Sequence, residues 1–86
     1  MNKDIFEKIQ QIMADLFNVD SGRITESTSM VTLPEWDSLQ HLNLILDIEM
    51  NFRIALAPED TERMTSVSGI LEVVEQKQRR HPAKSQ

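Results

Sequence analysis

Apolar residues recur at helical spacing in two stretches of this chain, one near each end. In residues 3–17 the repeat is carried by Ile5, Ile9, Ile12 and Leu16, and widened by Phe6, Met13 and Phe17. In the second stretch, Val67, Ile70, Leu71 and Val74 stand at positions i, i+3, i+4 and i+7. Residues at these spacings share one face of an α-helix, so each pattern predicts an amphipathic helix with a buried apolar face. No segment gives a convincing strand pattern.

A further helix is predicted to start at Ser38 and to end near Met50. Asp37 is a good N-cap residue, and Gln40 follows three residues later, in a variant of the capping box. On its own, a serine beside an N-cap indicates no more than capping chemistry. Trp36 and His41 hold the two positions of a hydrophobic staple, but histidine is not a usual apolar partner. The residues expected on or beside the inward face are Leu39, Leu42, Ile45, Leu46 and Glu49.

Pro58 predicts a short third helix, because proline suits the first turn and the acidic residues Glu59 and Asp60 follow it. The last helix should then begin at Thr65 or Ser66. The segment 18–36 is a long connection whose expected tethers to the core are Ile24, Met30, Val31 and Leu33. The fold class predicted is therefore all-α, a bundle of four helices with a long first loop and a short third helix.

The length of 86 residues predicts one domain, expected at residues 1–78 with a basic, disordered tail at 79–86. Residues 1–76 hold all 14 acidic residues and only five of the nine basic ones. An acidic body argues against nucleic acid and anionic membranes and favours partner proteins with basic surfaces. With no transmembrane-length apolar run and no signal-peptide core, we expect a cytoplasmic monomer.

An enzyme is not expected, although Asp37, Ser38 and His41 include the residue types of a hydrolase triad. Asp37 is occupied as a cap, and so small a domain offers little from which to build an oxyanion hole. The chain has no cysteine, and its histidines, His41 and His81, are far apart with no supporting acids, so no metal site is predicted.

The stretch from Trp36 to Leu56 resembles the acyl carrier and peptidyl carrier proteins around their modified serine. The matching residues are Asp37-Ser38-Leu39, Leu42, Leu44-Ile45, Glu49, Phe52 and Ile54-x-Leu56. The resemblance extends from about Asp4 to Lys77 and accounts for the long first loop. It implies an acyl carrier whose Ser38 holds a covalent phosphopantetheine from coenzyme A, with Asp37 and Leu39 beside it.

The resemblance also implies partners and a place for the cargo. The partners would be a phosphopantetheinyl transferase and the ligases, synthases or transferases of fatty acid or polyketide biosynthesis. Residues expected to dock them are Glu35, Trp36, Gln40, His41 and Asp47. Residues that could flank a groove for the acyl chain of the thioester are Ile45, Leu46, Ile54 and Met64.

Three departures from the fatty-acid type indicate a specialised stand-alone carrier. Trp36 replaces a small residue, Gln40 and Asn43 replace acidic residues, and the segment 32–35 lacks the usual Asp-Leu-Gly. Two alternatives stay open at this point: an aminoacyl or peptidyl carrier, and a helical interaction module without a prosthetic group.

Overall fold

The protein is a small helical bundle, seen here in a computed structural model that describes residues 3–80. Its helices within that range are α1 (Lys3–Phe17), α2 (Ser38–Phe52), α3 (Pro58–Glu62) and α4 (Val67–Arg80), with one 3₁₀ turn at Ser21–Arg23. No β-strand forms in residues 3–80. The predicted all-α bundle, with its long first loop and short third helix, is confirmed. α4 continues two residues past the predicted domain end at residue 78, and the rest of the predicted tail, 81–86, lies outside the described residues.

The core lies between α1, α2 and α4. Its buried residues on these helices are Ile5, Ile9, Met13, Ala14 and Phe17 of α1, Leu44, Ile45 and Ile48 of α2, and Val67, Ile70, Leu71, Val73 and Val74 of α4. The apolar faces predicted for the first and last helices are thus confirmed. The face predicted for α2 is wrong, because Leu39, Leu42 and Leu46 are all more than half exposed. Apolar residues surround much of α2, and the face with Leu44 and Ile48 meets the bundle instead.

The long first connection is held to the body at several points. Ile24, Leu33 and Trp36 are buried. Two backbone hydrogen bonds join it to the chain at the start of α4, from the Met30 amide to the Thr65 carbonyl (3.0 Å) and from the Val67 amide to the Thr28 carbonyl (2.9 Å).

Val31, predicted as a tether of this connection, is 93% exposed. The amides of Thr32 and Leu33 both donate to the Ser29 carbonyl. This turn carries Val31 at its tip, away from the core.

Gly69 of α4 lies against the backbone of Arg63, which follows α3. The Ser66 hydroxyl accepts the Gly69 amide (3.1 Å) and so caps α4. A methyl group at position 69 would overlap the Arg63 carbonyl oxygen, whereas nothing lies within 4 Å of one placed at Gly22.

We expect Gly69→Ala to destabilise the protein by about 1–3 kcal/mol, because backbone must shift to relieve the overlap. This cost should exceed the gain of about 1 kcal/mol in helix propensity. Gly22→Ala is the matched control and should change stability by less than about 1 kcal/mol. Urea unfolding of the two variants compares them, and equal midpoints would contradict the close approach of Arg63 to α4.

Asp60 of α3 forms an ion pair with α4. Its Oδ2 atom accepts hydrogen bonds from Lys77 Nζ of α4 (2.9 Å) and from the Ala57 amide (2.9 Å). Asp60 is buried. The hydrogen bond from Lys77, and after it the one from the Ala57 amide, hold the pKa of Asp60 below its ordinary value. Folding therefore favours the ionised form.

We expect Asp60→Asn to cost roughly 1–3 kcal/mol at neutral pH, the usual range for a hydrogen bond to a charged group. Because the folded pKa is depressed, the stabilisation is complete above the unfolded pKa of about 3.9 and is lost as the pH falls through the folded value. Unfolding free energies of parent and variant should therefore converge in acid. Glu62→Gln, an exposed carboxylate of the same helix, is the control. A difference between parent and Asp60→Asn that did not change with pH would show that packing, not charge, is lost.

Candidate functional site

The N-terminus of α2 is shaped by Asp37. This residue has extended backbone angles (φ −98°, ψ −174°) and its Oδ1 atom accepts the Gln40 amide at 2.9 Å. The predicted N-cap is confirmed. The predicted return contact from Gln40 is not made, because its side-chain oxygen accepts the Asn43 amide group instead (2.9 Å).

Ser38 is the first residue of α2, and its side chain is exposed. Its hydroxyl makes no hydrogen bond to any side chain or carbonyl within residues 3–80. The first amides of a helix lack intrahelical acceptors and carry partial positive charge. The Ser38 hydroxyl is therefore open to a reagent, and a phosphate ester on it would lie at the favourable end of the helix dipole.

His41 points inward and is held on both sides. Trp36 Nε1 donates to His41 Nδ1 (3.1 Å), and His41 Nε2 lies 3.2 Å from the Thr61 carbonyl of α3. Both ring nitrogens are therefore engaged away from Ser38. His41 is therefore not placed to act as a general base for Ser38.

The predicted docking residues differ in exposure and in their contacts. Trp36 is 1% exposed and stacks on Phe17 (centroids 6.0 Å apart), so its assignment to a partner surface is wrong. Glu35 makes a two-pronged contact with Arg23, at 3.2 and 3.3 Å. This hydrogen bond, with one from the backbone, lowers the pKa of Glu35. Gln40, His41 and Asp47 are half-buried.

The outward face of α2 carries an apolar stripe that begins next to Ser38. We use the name apolar stripe for Leu39, Leu42, Leu46 and Met50, which are 57–76% exposed. Steps of three, four and four residues keep them on one side of the helix. The same spacing was visible in the sequence, but there it led to the wrong assignment of this side to the core.

The four residues predicted to flank an acyl groove divide between two sides of the molecule. Ile45, Ile54 and Met64 are buried in the core. Leu46 belongs to the exposed apolar stripe. That these residues flank an acyl groove stays a prediction.

Within residues 3–80, no three histidine or acidic side chains are grouped so that they could hold a metal ion. In that same part of the chain, no helix is both long and apolar enough to cross a membrane.

Comparison with known proteins finds relatives of one family. The chain is 33% identical over 72 residues to the acyl carrier protein of Rubrobacter xylanophilus, covering 84% of this chain and 89% of that one. It is 31% identical over 71 residues to the acyl carrier protein of Helicobacter pylori strain J99, covering 83% and 91%. No family model matches the chain.

A solved structure is similar over nearly the whole length. The solution structure of holo acyl carrier protein from Geobacter metallireducens superimposes with a TM-score of 0.82 at 27% identity, and covers 94% of this chain and 93% of that one. Sequence and fold therefore point the same way, and the chain belongs to the acyl carrier protein family.

Proposed function

We propose that Ser38 is the attachment point of a phosphopantetheine arm on which this protein carries acyl intermediates. Membership of the family gives the chain a carrier role rather than an enzymatic one. When bound, the arm supplies a terminal thiol that holds the cargo as a thioester. The protein itself needs only to present the serine, with its arm, to partner enzymes.

The single observation that supports this proposal best is the exposed, uncommitted hydroxyl of Ser38 directly after a capped helix start. The carboxylate of Asp37 fixes the first turn through the Gln40 amide, so the serine is held on ordered backbone. The remaining amides of that turn suit the phosphate of the arm. The residues present therefore fit the group.

Docking of partner enzymes is assigned to the apolar stripe. It starts at Leu39, adjacent to Ser38, and runs along the outward face of α2. The only acidic residues of α2 are Asp47 and Glu49, and a Glu49 carboxylate oxygen is engaged by the Leu56 amide (2.8 Å). A surface with so little charge attracts a basic partner weakly. Its partners would instead offer an apolar groove beside the site that receives the arm.

We expect Leu46→Gln to weaken association with a transferase by about fivefold or more, because burial of roughly one large apolar side chain is lost. Asn51→Gln is the matched control, since it is exposed on the same helix but off the apolar stripe. Surface plasmon resonance at two salt concentrations measures the affinity of both variants for the transferase. If Leu46→Gln binds like the parent, or if affinity falls steeply with salt, docking depends on charge elsewhere on the protein.

The direct test of the proposal is the intact mass of the protein after incubation with coenzyme A and a phosphopantetheinyl transferase. One added phosphopantetheine, located by peptide fragmentation at Ser38, is the expected result. An unchanged mass would favour a helical interaction module without a prosthetic group. The cytoplasmic location, the monomeric state and shelter of the acyl chain near Ile45, Ile54 and Met64 stay predictions.

A further inference from the structure

Three residues from three segments form a continuous hydrogen-bonded connection behind Ser38. Trp36 belongs to the first connection, His41 to α2 and Thr61 to α3. The indole Nε1 donates to His41 Nδ1 at 3.1 Å, and His41 Nε2 lies 3.2 Å from the Thr61 carbonyl oxygen. We call these residues the tryptophan–histidine tie.

The partners of His41 fix its tautomer. An indole N–H can only donate, so Nδ1 must be the accepting nitrogen. A carbonyl oxygen can only accept, so Nε2 must carry the proton. Both ends of the tie therefore require the same neutral form of the ring.

Each end of the tie is anchored. The Trp36 ring is buried and lies against Phe17 of α1. The Thr61 carbonyl also accepts the Met64 amide (3.1 Å), and Met64 is fully buried. The tie thus connects α1 and the start of α2 with the segment that carries α3.

We infer that Trp36 and His41 are positioning residues, which set the start of α2, and with it Ser38, relative to α3. Trp36 directly precedes the N-cap Asp37, and His41 lies one turn after Ser38, so the tie holds the serine from both sides in the chain. α3 has only five residues and cannot hold its position through its own length. This role rests on the proposed function, because it matters only if Ser38 carries the arm.

The first test is nitrogen NMR of the histidine rings in the protein without its arm. We expect the Nε2–H form of His41, with a coupling or through-space contact from the single indole N–H to Nδ1. A ring that averages between tautomers would overturn the inference.

The second test is amide hydrogen exchange at Met64, relative to Ile9 of α1, which reports global unfolding. Trp36→Phe keeps an aromatic ring but removes the donor. It should speed Met64 exchange by about 2- to 10-fold, the effect of one hydrogen bond. In a His41→Phe background the same change should have no further effect. His41→Gln should retain much of the protection, because its amide nitrogen can replace Nε2. Equal effects of Trp36→Phe in both backgrounds would show that ring packing, not the tie, is responsible.

The third test asks whether the tie positions Ser38 for loading or only stabilises the fold. With a phosphopantetheinyl transferase, Trp36→Phe should lower kcat for loading about 2- to 10-fold and leave KM for the carrier unchanged, because the apolar stripe is intact. Unchanged kcat would reduce the tie to a structural contact and overturn the inference. If the parent protein takes up no arm, the proposed function fails and the positioning role fails with it, whereas the tautomer and exchange results stand independently.

Discussion

We expect Ser38→Ala to abolish uptake of phosphopantetheine while the bundle stays folded. The hydroxyl oxygen is the only atom of residue 38 that can form the phosphate ester. Its loss should cost little stability, because the side chain is exposed, alanine is a good helix former and Asp37 keeps the cap. Intact mass spectrometry after treatment with coenzyme A and a transferase measures uptake, and circular dichroism confirms the helices.

Ser68→Ala is the matched control for this experiment. Ser68 is also an exposed serine in the first turn of a helix, α4, but it lacks the Asp-Ser-Leu surroundings. The variant should load like the parent. Loading that survived in Ser38→Ala, through Ser21, Ser27, Ser29 or Ser66, would overturn the assignment of the attachment site.

The start of each helix, to within two residues, and two of the three main apolar faces could be predicted from the sequence. Local signals were unambiguous there: α1 carries a single stripe, and the Val67–Val74 pattern has polar residues opposite it. The start of α2 was equally clear, since a short-range hydrogen bond between Asp37 and the Gln40 amide decides it.

The orientation of α2 could not be predicted from periodicity alone. Two sides of this helix show helical spacing, one with Leu39, Leu42 and Leu46, and the other with Leu44 and Ile48. A repeat pattern shows that an apolar side exists, but the choice between two sides depends on the shape and area offered by the rest of the bundle.

The tryptophan–histidine tie was missed for a different reason. Trp36 and His41 occupy the two sequence positions of a hydrophobic staple. They form a hydrogen bond, however, whereas the two residues of a staple usually make an apolar contact. His41 was instead expected to dock partner proteins. The α3 carbonyl that completes its hydrogen bonding lies 20 residues away in the sequence, so no local pattern reveals it.

Leucine-to-alanine changes at positions 71 and 42 should separate the buried side of the bundle from the apolar stripe. Leu71 is 4% exposed, so we expect Leu71→Ala to cost roughly 2–5 kcal/mol, a large part of the stability of so small a domain. Leu42 is 63% exposed, and Leu42→Ala should change the free energy of unfolding by less than about 0.5 kcal/mol. Urea unfolding monitored by circular dichroism gives both values. If the two variants were destabilised equally, α2 would have to be rotated to bring Leu42 inward, and the apolar stripe could no longer serve as the docking surface.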